Sequence, residues 1–358
     1  MENKQKITGI VVEYNPLHNG HIYHIEQARS ITQCDVLIAV MSPNFVQRGE
    51  PAFINKWTRT QYALEWGVDL VLELPTPYTI QSAETFATQA VNILAMAHID
   101  TLVYGSETGI VTNELEIDID HKKLEAGLSY AKAMNPHQQG PNDILGKYYT
   151  RACKNLNITP IAIKRTNAYH SLELDESIAS ATAIRYQFNL GKDTSGYTPI
   201  NLTNIQTHRL NDYETLIKYA LLSSNSDDLE NISIVSEGIQ NLLISNAHLN
   251  LAALIEACIS KRYTRARIQR TLINILLNQS ENIPKIQQFR VLGMSEAGQQ
   301  HLRYLKKQEV SYTTHFKDYQ FKDIEYRATS VYLLPYSDTY QKEQLDMEKS
   351  AIIRVSNK

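Results

Sequence analysis

Five short runs of aliphatic and β-branched residues, at 7–12, 36–40, 68–72, 101–104 and 160–163, alternate with stretches whose apolar positions recur at helical spacing. Continuous apolar strands between amphipathic helices predict a parallel sheet covered on both faces, a Rossmann-like α/β layer. Its ligand belongs at the carboxyl ends of the strands, so the loops after Val12, Val40, Tyr104 and Ile163 should converge on it. Beyond about residue 189 the pattern changes. Residues 191–199 are polar and rich in turn formers, which reads as a linker. Helical patterns rich in Leu and Ile follow at 213–223, 228–246 and 249–258. The expectation is an α/β domain over 1–190 followed by a mostly helical domain over 200–358.

The first run leads into Glu13-Tyr14-Asn15-Pro16-Leu17-His18-Asn19-Gly20-His21. A turn-forming Asn-Pro pair ends the strand, and two histidines bracket Asn-Gly where a helical pattern begins. Helix starts present free N–H groups and bind anions. Gly20 would let a phosphate approach the backbone, and His18 and His21 could donate hydrogen bonds to charge developing on phosphorus. Gly105, at the end of the fourth strand, leaves room for adenine or ribose. Asn142 reads as a helix cap, a ligand contact, or both. Lys164, Arg165 and Thr166 follow the fifth strand and suit a triphosphate. Ser180 and Thr182 open a helix carrying Arg185, a second phosphate-binding pattern. Gln47, Arg48, Lys56 and Arg59 put further polar and cationic groups near the same edge. Later, Arg265, Arg267 and Arg270 stand at the start of a helix whose apolar face is Ile268, Leu272, Ile275 and Leu276. Cations there oppose the helix dipole, so RNA phosphate is a reasonable partner, with a solvated face as the alternative.

His18-Asn19-Gly20-His21 resembles the H-x-G-H signature of the nucleotidyltransferase superfamily, which includes the class I aminoacyl-tRNA synthetases. The wider string from Val11 to His21 resembles the bacterial tRNA(Met) cytidine acetate ligase family. Gln47-Arg48-Gly49-Glu50-Pro51, Asn55-Lys56-Trp57-Thr58-Arg59 and Pro141-Asn142-Asp143-Ile144-Leu145-Gly146 resemble it too, and the likeness extends to about residue 310. The resemblance implies catalysis by His18 and His21. It implies ATP contacts at Val11, Val12, Glu13, Tyr14, Asn15, Pro16, Leu17, His18, Asn19, Gly20, His21, Ile22, Tyr23 and His24, and at Gly105, Asn142, Arg165 and Thr166. Phosphate contacts are expected at Ser180, Thr182, Arg185 and Lys56, and tRNA contacts at Arg265, Arg267 and Arg270. The implied substrates are ATP, escorted by Mg2+ whose ligands the sequence does not identify, acetate, and elongator tRNA(Met). Acetate would take the adenylyl group with release of pyrophosphate, and the acetyl group would pass to the wobble cytidine to give N(4)-acetylcytidine. The Tyr14-Asn15-Pro16 loop is expected to wall the acetate.

Composition narrows this picture. The 358 residues are 43% hydrophobic and 20% charged, with a net charge of −3, so any RNA surface must be a local patch. Cys34, Cys153 and Cys258 are too scattered for zinc or a disulfide framework. There is no secretory hydrophobic region and no apolar run of the ~20 residues that span a bilayer. A cytoplasmic protein without a membrane partner is expected; the oligomeric state is left open, a homodimer included. The absence of a Walker lysine motif and of kinase signatures favours attack at the α-phosphate. Two other readings stay in view. A small-molecule adenylyltransferase would leave the helical half unexplained. A non-catalytic RNA-binding module would leave the intact histidines and the second hydroxyl-rich motif unexplained.

Overall fold

A computed structural model describes residues 5–111, 140–165, 178–350 and 352–355. The first half contains β1 (Ile7–Val12), α1 (Asn19–Thr32), β2 (Val36–Met41), the hairpin β3 (Phe45–Val46) and β4 (Glu50–Pro51), and α2 (Lys56–Glu65). It continues with β5 (Leu70–Glu73), α3 (Thr76–Thr79), α4 (Ala83–Met96), β6 (Thr101–Ser106), α5 (Pro141–Asn155), β7 (Thr159–Lys164) and α6 (Ala181–Asn189). The second half contributes α7 (Glu214–Ser223), α8 (Ser226–Glu230), α9 (Ile239–Ser245), α10 (Leu251–Cys258) and α11 (Arg265–Leu276). It ends with β8 (Phe289–Met294), α12 (Glu296–Lys307), β9 (Tyr312–Thr313), α13 (Lys322–Leu333), α14 (Asp338–Ser350) and β10 (Ile353–Arg354).

The five apolar runs become β1, β2, β5, β6 and β7, and they pair in parallel. The sheet order is β10-β8-β5-β2-β1-β6-β7, with β9 beside β8. From β1 the chain builds outward to β2 and β5, then returns to add β6 and β7 on the other side. That reversal opens a crevice at the carboxyl ends of β1 and β6.

The sheet crosses the boundary expected at 190–200. β8, from the second half, lies antiparallel to β5 and covers what would otherwise be an exposed edge strand. Helices α7 to α11 surround an apolar cluster that includes Ile217, Leu243, Leu254, Ile268 and Leu272. This cluster takes in Phe45 and Ile80 from the first half, so the helical half is seated directly on the α/β layer.

A buried set of four charges joins the ends of the chain. Lys56 Nζ contacts Glu73 and Glu348 at 2.5 and 2.8 Å, and Arg290 pairs with the same two carboxylates. Burial alone would lower the Lys56 pKa, but Glu348 and Glu73 hold it above its usual range. Burial alone would raise Glu348, but Lys56 and Arg290 hold it below. Each charge is tolerated because its partners are already in place.

His208 is a second buried polar centre. Its ring stacks on Tyr332 at 3.8 Å. Tyr213 donates its hydroxyl to the Tyr332 carbonyl, so it accepts from His208 Nδ1 at 3.0 Å, leaving Nε2 to accept from Tyr340 at 3.2 Å. Burial pushes this imidazole down to about 3.

Two outcomes follow for stability. Glu348→Gln leaves two buried cations sharing one carboxylate and should cost about 3–5 kcal/mol in chemical denaturation; a loss below about 1 kcal/mol would contradict this account. Unfolded His208 binds a proton near pH 6.5, whereas the folded one does so only near 3, so stability is complete above pH 6.5 and declines as pH falls through that window. His208→Gln should flatten the slope of unfolding free energy between about pH 6 and 5 by roughly 1 kcal/mol per pH unit, and an unchanged slope would count against a neutral, buried ring.

Candidate active site

The carboxyl ends of β1, β6 and β7 and the starts of α1, α5 and α6 surround a cavity of about 850 Å³. Past β1 the backbone turns at Tyr14, which is left-handed (φ 50), a conformation a bulky residue adopts only when packing holds it there. The Tyr14 ring is fully buried and lies edge-on to His21 with centroids 5.0 Å apart.

His18 is the N-cap of α1. Its Nδ1 accepts the Gly20 N–H at 3.1 Å, and His21 Nδ1 accepts the His18 N–H at 3.3 Å. The two rings stack at 3.7 Å. With both Nδ1 atoms accepting, each neutral ring carries its proton on Nε2. Burial, reinforced by Arg165 and Arg185, pushes His18 down to about 3. Burial and the neighbouring His18 hold His21 well below its usual range, and burial and Arg165 push His24 to about 4. All three are neutral donor or acceptor groups at pH 7. A Cβ on Gly20 would come within 2.9 Å of His18 Cε1, so the capping ring itself requires glycine there. At Gly105 the nearest atom to an added Cβ is Arg165 Cγ at 3.4 Å. The protein leaves that space beside the cavity unused.

The start of α5 is clasped from both sides. Gly140 is its N-cap residue without a capping side chain, so the cap role expected for Asn142 falls to Glu107. The Glu107 carboxylate accepts from the Asn142 and Asp143 N–H groups at 3.2 and 2.8 Å and from the Asn142 amide at 2.7 Å. Asp143 in return accepts from the Glu107 N–H at 3.0 Å and the Ser106 hydroxyl at 2.5 Å. Asn142 thereby lines the cavity in a fixed position.

Ser180 caps α6 by accepting the Ala183 N–H at 3.1 Å, with Thr182 beside it on the cavity wall. Arg185 donates to the Asn15 carbonyl at 2.8 Å and lies 3.4 Å from Glu50, which latches the second motif to the loop after β1. Arg48, Lys164, Arg165, Arg185, Arg262, Arg267 and Arg270 line the cavity against the carboxylates Glu13, Glu50 and Glu84. Those carboxylates are engaged: Glu13 accepts from the Gln47 N–H at 2.8 Å, Glu50 from the Gln269 amide at 3.2 Å, and Glu84 pairs with Arg151 at 3.2 Å. The surplus of guanidinium groups suits a polyanion. Among the described residues no group of three or more His, Cys, Asp or Glu side chains that could hold a metal ion occurs.

Most of the expected site residues meet at this cavity: Val11, Val12, Glu13, Tyr14, Asn15, His18, Gly20, His21, Tyr23 and His24 from the first motif, with Gly105, Asn142, Arg165, Ser180, Thr182 and Arg185. Thr166 lies outside the described residues. Pro16, Leu17, Asn19 and Ile22 do not line it. Leu17 is core, and Asn19 holds the 191–199 segment through Gly196 and Tyr197. The expectation for Lys56 is corrected: Asn55 caps α2, which turns Lys56 into the buried charge cluster and away from phosphate. Arg59 likewise is buried, donating to the carbonyls of Glu13, Ser42, Pro43 and Ile54. Arg265 pairs with Glu256 outside the cavity, whereas Arg267 and Arg270 face into it. Arg262 and the Glu107 clasp escape sequence reasoning, because their neighbours are set only by the fold.

A family model described as HIGH Nucleotidyl Transferase matches residues 5–347. A Listeria monocytogenes serotype 4a protein named tRNA(Met) cytidine acetate ligase is 41% identical over 372 residues, covering 92% of this chain and 95% of the relative. A Staphylococcus carnosus protein of the same name is 37% identical over 394 residues, covering 99% of each. The crystal structure of Thermotoga maritima TmcAL in its apo form I superposes with a TM-score of 0.87 at 27% identity, covering 98% of this chain and all of that one (100%). The same protein bound with alpha-thio ATP gives 0.84 at 27% identity, with 98% and 100% coverage. Among the described residues no helix is long and apolar enough to cross a membrane. The chain belongs to the tRNA(Met) cytidine acetate ligase family of HIGH nucleotidyl transferases.

Proposed function

We propose that the cavity joins acetate to ATP and passes the acetyl group to the wobble cytidine of elongator tRNA(Met). An acetate oxygen attacks the α-phosphorus, the bond to the β-phosphate oxygen breaks, and pyrophosphate leaves. The exocyclic amine of cytidine then attacks the acetyl carbonyl, AMP departs with the bonding pair, and the amine loses a proton. The product is N(4)-acetylcytidine.

The observation that carries this reading is the pair of neutral imidazoles at the start of α1, in one cavity with Arg165, Arg185 and the start of α6. Their Nε2–H groups would donate to the α-phosphate as it gains charge, and fixed donors in a desolvated pocket need no reorganisation in the transition state. Ser180, Thr182 and the α6 start would hold the outgoing phosphates. Gly105 and Asn142 would border the nucleoside, and the Tyr14 loop would wall the small acid. Mg2+, when it accompanies the triphosphate, supplies charge neutralisation there. A substrate of this kind places the protein in the cytoplasm with the tRNA pool.

The test uses purified full-length protein with ATP, acetate and elongator tRNA(Met), following pyrophosphate and the mass of the tRNA nucleosides. One acetyl group on cytidine, dependent on both ATP and acetate, is expected. His21→Ala should slow it about 10²–10³-fold, the usual cost of removing one transition-state donor. Pyrophosphate release with unmodified tRNA would instead favour a small-molecule adenylyltransferase.

A further inference from the structure

The two cavity-lining arginines of α11 are not equivalent. Arg267 is satisfied: it pairs with Glu237 at 3.0 Å, donates to the Ser236 hydroxyl at 2.9 Å and lies over the Tyr263 ring at 5.1 Å. Arg270, one turn further on, makes no side-chain hydrogen bond or ion pair among the described residues, and its Nε is buried without a partner. Its surroundings are adverse, since burial and the like charges of Arg267 and Arg48 push it down to about 10.

The fold enforces this crowding. Gly49 takes a left-handed φ of 76 and packs its Cα against the backbone of Gln269 and Arg270. Glu50 then binds the Gln269 amide at 3.2 Å. The hairpin that carries Arg48 is therefore pinned to the turn of α11 that carries Arg270. A half-buried cation whose Nε is buried without a partner, held beside another cation at a cavity, is an arrangement completed by an anionic ligand.

The position argues for which anion. His18 is influenced by Arg165 and Arg185, Arg165 by Arg48, and Arg270 by Arg48 and Arg267. By element, the cavity's cations come from two ends: at the near end Arg165, after β7, and Arg185, on α6 beside the first motif; at the far end Arg267 and Arg270, on α11, with Arg48 on the hairpin pinned to that helix. A triphosphate whose α-phosphate sits at the histidines is served by the near end. A base that must reach the acetyl group enters the same cavity with its flanking phosphates.

Resting on the adenylation reading above, we propose that Arg270 and Arg48 form a phosphate subsite that grips the RNA backbone next to the reacting base. The strand enters the cavity unpaired, with α11 as its guide rail. The ATP triphosphate offers the same chemistry, so the experiment separates the two sources. Full-length protein and its Arg270→Ala and Arg270→Lys variants are compared in acetate-dependent ATP–pyrophosphate exchange without tRNA, and in tRNA binding at several salt concentrations.

Arg270→Ala should raise the tRNA Kd about ten- to a hundredfold and reduce the slope of log affinity against log salt by about 0.7, the value for one phosphate on a single strand. Arg270→Lys should restore most of the salt slope, since the charge returns without the planar fork. The KM for ATP in exchange should stay as in the unsubstituted protein, which also shows that the variants fold. A raised KM for ATP with unchanged tRNA affinity would assign the subsite to the triphosphate and overturn the proposal, and so would variants that alter neither. Absence of exchange in the unsubstituted protein would overturn the adenylation reading instead, while the tRNA Kd still decides the subsite.

Discussion

The first helix is capped by an imidazole nitrogen in a position where an oxygen is usual, and the chemistry of the cavity follows from that substitution. A cap must keep its lone pair. His18 cannot take up a proton on Nδ1 without releasing the Gly20 N–H, and burial with two nearby arginines opposes protonation as well. One requirement therefore fixes both the helix start and the protonation state: Nδ1 builds the fold, and Nε2–H is left for a ligand. His21 repeats the arrangement one turn later, at the N-cap to N3 spacing of a capping box.

Around that start, the remaining parts are held by contacts that span the chain. Arg185 ties α6 to the Asn15 carbonyl, Glu107 and Asp143 tie α5 to the end of β6, and Glu50 ties the hairpin to α11. The buried charge cluster secures α14 against β8 and α2. The first three latches contribute a group to the cavity wall or orient an element that does, so α5, α6 and α11 are held by contacts at the cavity, while the charge cluster lies away from it.

The parallel strands were legible because a strand buried on both faces must be largely apolar: 36–40 is so throughout, and 7–12 and 101–104 depart from it only at the β-branched Thr8 and Thr101. The first motif was legible because its histidines and glycine fall where an apolar strand gives way to a helical pattern, and the structure has that junction there, with His18 as the N-cap of α1. Lys56 was not. Lysine is rarely buried unless paired, and its partners lie 17 and 292 residues away, so nothing local distinguishes it from the arginines that do reach the cavity. Asn142 failed as a cap for the same reason, since its competitor Glu107 is 35 residues distant. β8 is largely apolar, but its pairing with β5 depends on an open edge that only the assembled sheet presents. That α11 shares a cavity with the histidines is likewise a product of the hairpin contact at Gly49.

In the proposed reaction two neutral imidazoles would present Nε2–H donors to the α-phosphate. The most direct measurement is ¹⁵N NMR of the protein labelled at histidine, near pH 7, without and with ATP. His18 and His21 should show a protonated Nε2 and a bare Nδ1 in both states, with the Nε2–H resonances moving on ATP binding. A doubly protonated ring, or a proton on Nδ1 in either residue, would contradict it.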